Sequence, residues 1–123
     1  MRTIKVTERR QHLRAKLTFP VFAKTNRTLI SGTTKDISER GAFIYCQQPL
    51  KLGEVIEVLI SVSPRNPPVR AIAEVVRSDN SCPANELEPY GMAVQFIIIP
   101  EAERRAISNM VLKHATHFLK LMR

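Results

Sequence analysis

Between Leu17 and Ile99 the apolar residues of this chain recur at every second position, in short runs broken by turn-forming residues. A period of two puts alternate side chains on opposite faces of an extended strand, so each run needs neighbours that bury its apolar face. Leu17, Phe19, Val21 and Ala23 share one face of the first run. Pro20 lies inside that run and cannot donate to a ladder, which predicts an edge or bulged position. Asn26-Arg27 reads as a turn. Thr28–Ile37, rich in β-branched residues, reads as a second strand in which Gly32 marks a bulge. Ser38–Gly41 is a turn and Ala42–Cys46 a short apolar strand. Gln47–Gly53 is a connection that closes on a glycine turn. Ile56, Val58, Ile60 and Val62 line one face of the next run, and Val69, Ala71, Ala73 and Val75 line one face of the run after it. Between these two lies the proline-rich loop Ser63–Pro68. A polar loop, Asp79–Pro89, leads to the last strand, Tyr90–Ile99, with Met92, Val94, Phe96 and Ile98 on one side.

At Pro100 the period changes. Glu101 and Glu103 put acidic side chains in the first turn of a helix, where they complement its dipole. Ala106, Ile107, Met110, Val111, His114, Phe118 and Leu121 then recur at steps of three and four, and Lys120 and Arg123 close the C-terminal end. Six short strands and one terminal amphipathic helix predict an all-β fold with a C-terminal helix: a small six-stranded antiparallel β-barrel over about residues 17–99 and the helix over about 101–121. Closing the sheet removes exposed edges. The helix stripe is expected to bury itself on its own barrel in preference to a second copy. Residues 1–8 show no periodicity and form a lead-in to a single domain over 9–123.

The formal net charge is +8, and it is unevenly placed. Up to Arg27 there are eight basic residues and one acidic; the remaining 96 residues carry eleven basic and ten acidic. This bias favours anionic partners such as nucleotides, nucleic acid or acidic membrane surfaces, without choosing among them. No apolar run is long enough to span a bilayer, and no apolar region follows the basic N-terminus as a secretory signal requires. Two cysteines, Cys46 and Cys82, fit a reduced cytoplasmic setting better than a disulfide framework. Cys46 reads as a core residue and Cys82 as a loop thiol.

The densest part of the basic region is Glu8–Lys16, which holds Arg9, Arg10 and Arg14. Guanidinium groups bind phosphate bidentately and stack on nucleobases. Further on comes Asp36-Ile37-Ser38-Glu39-Arg40-Gly41. Asp36 and Ser38 are two apart, so they lie on one side of an extended segment. A carboxylate can accept from both the ring N–H and the exocyclic amine of guanine, and a serine hydroxyl completes the set. Gly41 permits a tight turn with positive φ, or close approach of a ligand. These residues contain no nucleophile–base pair and no metal cluster, so the expectation is a binding protein and not an enzyme.

The ordered combination resembles the PilZ domains, whose signature is an RxxxR motif, usually preceded by a further arginine, and a downstream [D/N]xSxxG on a small β-barrel. Here Arg9-Arg10-Gln11-His12-Leu13-Arg14 matches the first part and Asp36–Gly41 the second. The family's later Gly-hydrophobic-Phe strand is matched by Tyr90–Phe96 and its closing helix by Arg104–Phe118, so the likeness runs from Glu8 to the C-terminus. The resemblance implies a split barrel that binds cyclic di-GMP, the bacterial second messenger, and no other cofactor. Carried over residue by residue, Arg9, Arg10 and Arg14 would hold phosphates and contact guanine, Asp36 and Ser38 would read guanine edges, and Gly41 would shape the turn. The length leaves no room for an added domain, so the chain reads as a stand-alone PilZ protein that delivers its output to an unidentified partner protein. Like charges in Glu8–Arg14 repel one another, so this segment is expected to be mobile until a bis-phosphate ligand draws it onto the barrel.

Two other classes compete. One is an interaction adaptor that keeps the fold without using the ligand. The other is a barrel for single-stranded nucleic acid, which would want more exposed aromatics than this chain's five Phe and two Tyr supply; no DNA partner is expected. His114 and His117, three apart, lack a matching third ligand for a metal, and His114 falls on the apolar stripe as a packing residue. His12 reads as solvent-facing and Arg77 as a surface arginine at the basic rim. The oligomeric state, monomer or homodimer, is left open.

Overall fold

The period-two runs pair as six antiparallel strands: β1 (Pro20–Lys24), β2 (Leu29–Ser38), β3 (Gly41–Tyr45), β4 (Val55–Ile60), β5 (Val69–Asp79) and β6 (Gly91–Ile98). The helix α1 (Glu101–Leu121) follows. The computed structural model describes residues 13–79 and 90–121. The strand order is β1-β2-β3-β6-β5-β4, and β4 pairs back onto β1 to close a barrel. The expected inward sets fill it. Val21, Ala23, Ile44, Ile56, Val58, Ile60, Val69, Ala71, Ala73, Val75, Met92 and Val94 are all buried. Cys46 joins them as a free thiol, and burial pushes its pKa up, which suits a packing residue and not a nucleophile.

Closure changes the reading of Pro20. It lies at no edge and no bulge. It is the first residue of β1, opposite Thr33, where a missing N–H costs no ladder bond, and its carbonyl accepts from Ser61 N–H at 2.9 Å. The five-residue β1 is shorter than the alternation from Leu17 predicts. Leu17 and Phe19 still pack against the core, but their backbone is held by Thr34. The buried hydroxyl of Thr34 donates to Leu17 O at 2.6 Å and accepts from Phe19 N–H at 2.8 Å.

The bulge in β2 is at Lys35, not at Gly32. Thr34 faces Ile44 and Asp36 faces Phe43, so Lys35 is the unpaired extra residue. Gly32 instead stays in register opposite Val21. It is glycine because a Cβ there would lie 2.1 Å from the backbone O of Tyr45. Two further register shifts mark β5 and β6. One leaves Val76 extra, between Val75 opposite Val94 and Arg77 opposite Ala93. The other leaves Ile97 extra, between Phe96 opposite Ala73 and Ile98 opposite Ile72. Ile98, expected in the core, is therefore 63% exposed, and Ile99 packs against the core in its place. Only one described glycine has positive φ: Gly53, at +89°, in the turn before β4.

Helix α1 starts where the period changes and is seated by its first turns. Ile107 and Val111 are buried, and Glu103 accepts from the backbone N–H of Arg70 at 2.6 Å. Arg104 pairs with Glu101 and reaches across to Glu39 in the β2–β3 turn. Beyond Val111 the helix leaves the barrel. His114 is exposed and so is Leu121, at 71%, contrary to the stripe expected on the barrel. Leu112 is 54% exposed, and the side chain of Phe118 lies outside the described residues. The barrel wall is short, and a helix of 21 residues is about 30 Å long; it outruns the surface that could cover it.

Two outcomes test this account. Gly32→Ala should cost about 1–3 kcal/mol or more in chemical denaturation, because backbone must move to admit the methyl group. The hydrogen bond from Arg104 holds the Glu101 carboxyl below its ordinary 4.5. A carboxyl lowered in the folded state contributes stability above its unfolded pKa and loses it as pH falls through the lowered value. Glu101→Gln should therefore flatten the part of the pH–stability curve below about 4.5 and leave neutral pH behaviour to the remaining Glu39–Arg104 pair.

Candidate functional site

The bulge decides which way the Asp36 segment faces. Inward positions on β2 run Ile30, Gly32 and Thr34, so unbroken alternation would send Asp36 into the core and Ile37 out. The extra residue at Lys35 inverts the phase. Ile37 becomes fully buried and Asp36 emerges on the outer wall.

Ile37 then offers its backbone to the segment ahead of β1. Ala15 N–H donates to Ile37 O at 2.9 Å, and Ile37 N–H donates to Ala15 O at 3.0 Å. Ala15 itself is 3% exposed. With Ala15 pinned, Arg14 projects from the opposite face, and its Nη1 meets Asp36 Oδ1 at 2.8 Å. The side chains are 50% and 23% exposed. Such a partly solvated pair contributes about 0.2–1 kcal/mol, so its significance is positional and not energetic. Two residues 22 apart, one from each segment singled out by chemistry, are in direct contact.

The other expected residues are placed as follows. Arg9, Arg10 and His12 lie outside the described residues, as does Cys82. Ser38 is 2% exposed; its Oγ accepts from Arg40 N–H at 3.1 Å and lies 3.5 Å from Gly41 O. The hydroxyl thus holds the turn. Gly41 does not have positive φ. Its close approach is to β6, where a Cβ would lie 2.2 Å from the backbone O of Val94. Gly41 is thereby needed to seat the turn on the barrel, and Phe96 N–H donates to Arg40 O at 2.8 Å beside it.

Three residues of this wall carry no signal in the sequence. Thr34 anchors the Arg14 segment, yet it sits unmarked among β-branched neighbours. Phe43 stands directly opposite Asp36 in the β2–β3 register. Lys35 Nζ lies 5.3 Å from the Phe43 ring centroid, and the guanidinium carbon of Arg77 lies 5.9 Å from it. Only pairing across strands brings these together. A depression of about 580 Å³ lies at the other end of β2, by the β1–β2 turn, with Lys24, Arg27, Glu54 and Glu57 in its lining. Among the described residues no group of His, Cys, Asp and Glu is arranged to hold a metal ion.

The PilZ domain family model matches residues 8–113. No curated protein matches the chain by sequence. Among solved structures, the chain is similar to the inhibitor of motility MotI/DgrA of Bacillus subtilis, with TM-score 0.74 and 18% identity. That match covers 89% of this chain and 52% of the other, so this chain spans about half the length of that neighbour. The PilZ domain of Escherichia coli YcgR with cyclic di-GMP matches with TM-score 0.66 and 11% identity, covering 93% and 97%. The PilZ domain of CeSA from a cellulose-synthesizing bacterium matches with TM-score 0.58 and 20% identity, covering 81% and 95%. At these identities the likeness establishes the barrel-and-helix fold.

Thr34→Val tests the anchoring. It keeps the shape but leaves Leu17 O and Phe19 N–H without their partner, so stability should fall by about 1–3 kcal/mol.

Proposed function

The chain belongs to the PilZ domain family, and from that premise we propose that it is a receptor for cyclic di-GMP. PilZ domains are in general receptors for this second messenger, and the YcgR domain that shares the fold is seen with it bound. The observation that carries the reading to this chain is the Arg14–Asp36 contact. It supports a divided site in which a phosphate- and base-gripping cation stands beside a carboxylate suited to the guanine edge. A carboxylate has about four acceptor positions on two oxygens, so Asp36 can keep Arg14 and still accept from guanine.

In this proposal Arg9, Arg10 and Arg14 grip phosphate and stack on guanine, and Asp36 selects the base. Ser38 completes the guanine contacts by turning its hydroxyl outward, and Gly41 keeps the turn on β6. The segment moves about Ala15, which is already paired to Ile37. The like charges of Arg9, Arg10 and Arg14 repel one another until ligand phosphates neutralise them, and ordering of that segment presents a new surface to a separate protein. The reaction is binding, with no bond made or broken.

Calorimetric titration tests the assignment. Arg14→Ala should weaken cyclic di-GMP binding about 10- to 100-fold, the loss of a charge-assisted contact of about 1.5–3 kcal/mol. Asp36→Ala should lose more affinity for cyclic di-GMP than for cyclic di-AMP. Unchanged affinity in the first variant, or equal losses in the second, would sink the assignment. Absence of any saturable thermal shift with cyclic di-GMP in the unmodified protein would instead favour the ligand-independent adaptor.

A further inference from the structure

Four outward positions line up across four neighbouring strands. Asp36 on β2 faces Phe43 on β3, Phe43 faces Ala93 on β6, and Ala93 faces Arg77 on β5. Adjacent strands are about 4.8 Å apart, so the row spans roughly 14 Å of wall from Asp36 to Arg77. Two of its members are outward only because a bulge precedes them: Lys35 re-aims Asp36, and Val76 re-aims Arg77. The ring of Phe43 lies low, over Gly91, where a Cβ would sit 2.3 Å from a ring carbon. Tyr45 braces it edge-on, at 5.7 Å between centroids and 74° between planes. Two cations come to this low ring, Lys35 from the bulge in β2 and Arg77 from β5.

Two like charges gathered at one ring repel each other. The ring's negative face offsets part of that cost. Ammonium and guanidinium groups together match the oxygens of a phosphodiester. We propose that Lys35 and Arg77, held over Phe43, form a second anion site on the barrel wall. It takes one phosphodiester of the cyclic dinucleotide whose guanine is read at Asp36. The inference rests on the cyclic di-GMP reading above and adds the division of labour. The arginine segment grips one phosphate from outside, and the wall receives the other. Phe43 is a positioning residue that keeps the two cations in place.

The test is calorimetry with cyclic di-GMP at several salt concentrations, on the full chain and on Lys35→Gln, Arg77→Gln, Phe43→Leu and Asp36→Ala. The glutamine variants should each bind about 10-fold more weakly, the loss of about one charge-assisted contact, with a shallower dependence on salt and a retained cooperative melting transition. Phe43→Leu should lose affinity although both charges remain. If the unmodified chain binds and both glutamine variants bind within about twofold of it with the same salt dependence, the wall site is overturned while the reading at Asp36 stands. If the unmodified chain does not bind, both fall. If Asp36→Ala binds as the unmodified chain does, the guanine reading fails, and a loss in the glutamine variants would then leave the wall as a phosphate site independent of Asp36.

Discussion

One extra residue in β2 sets the character of this protein. A strand exposes alternate residues to core and solvent, and inserting one residue exchanges the two faces from that point on. Before Lys35, β2 buries even-numbered positions; after it, Ile37 enters the core and Asp36 faces out. The Ile37 backbone that results is the dock for Ala15, and Ala15 fixes the position of Arg14. The same inversion puts Asp36 opposite Phe43. Remove that residue and the carboxylate would turn inward, which a carboxylate without a partner would not tolerate.

The turn that follows is tied from three directions. Ser38 holds it from within, Gly41 lets it lie against β6, and Glu39 is joined to Arg104 at the start of α1. A ligand that shifts the Asp36 turn therefore acts on the root of a helix whose far half extends beyond the barrel. Arg104 also holds Glu101, so this root is a charge network and not an isolated pair. Networks of this kind fix orientation better than single exposed pairs do.

Much of the architecture was legible because burial on one face of a strand leaves a period of two in the sequence. The inward sets of β4 and β5 and the buried Cys46 follow from that rule, and the helix start at Pro100 is where it stops. The differences at Gly32 and Ile98 share one cause, a bulge without a residue-type signature. Glycine at position 32 is explained by a passing carbonyl, while the bulges fall at Lys35, Val76 and Ile97, where no glycine marks them. Continued alternation puts Ile98 in the core, and the extra residue Ile97 turns it out. His114 and Leu121 were assigned to a packed stripe by periodicity, which reports an apolar face and not the extent of the surface that covers it.

The sequence alone determined the element types, most of the core and the chemistry of the two segments, since periodicity and side-chain identity are local properties. It also identified Asp36 and the arginines as complementary groups. Tertiary structure decided which groups meet: Arg14 with Asp36, Glu39 with Arg104, and Lys35 and Arg77 at the ring of Phe43. Register across strands is a long-range property, and each bulge resets it. The wall on which a ligand would lie was therefore written only in the pairing.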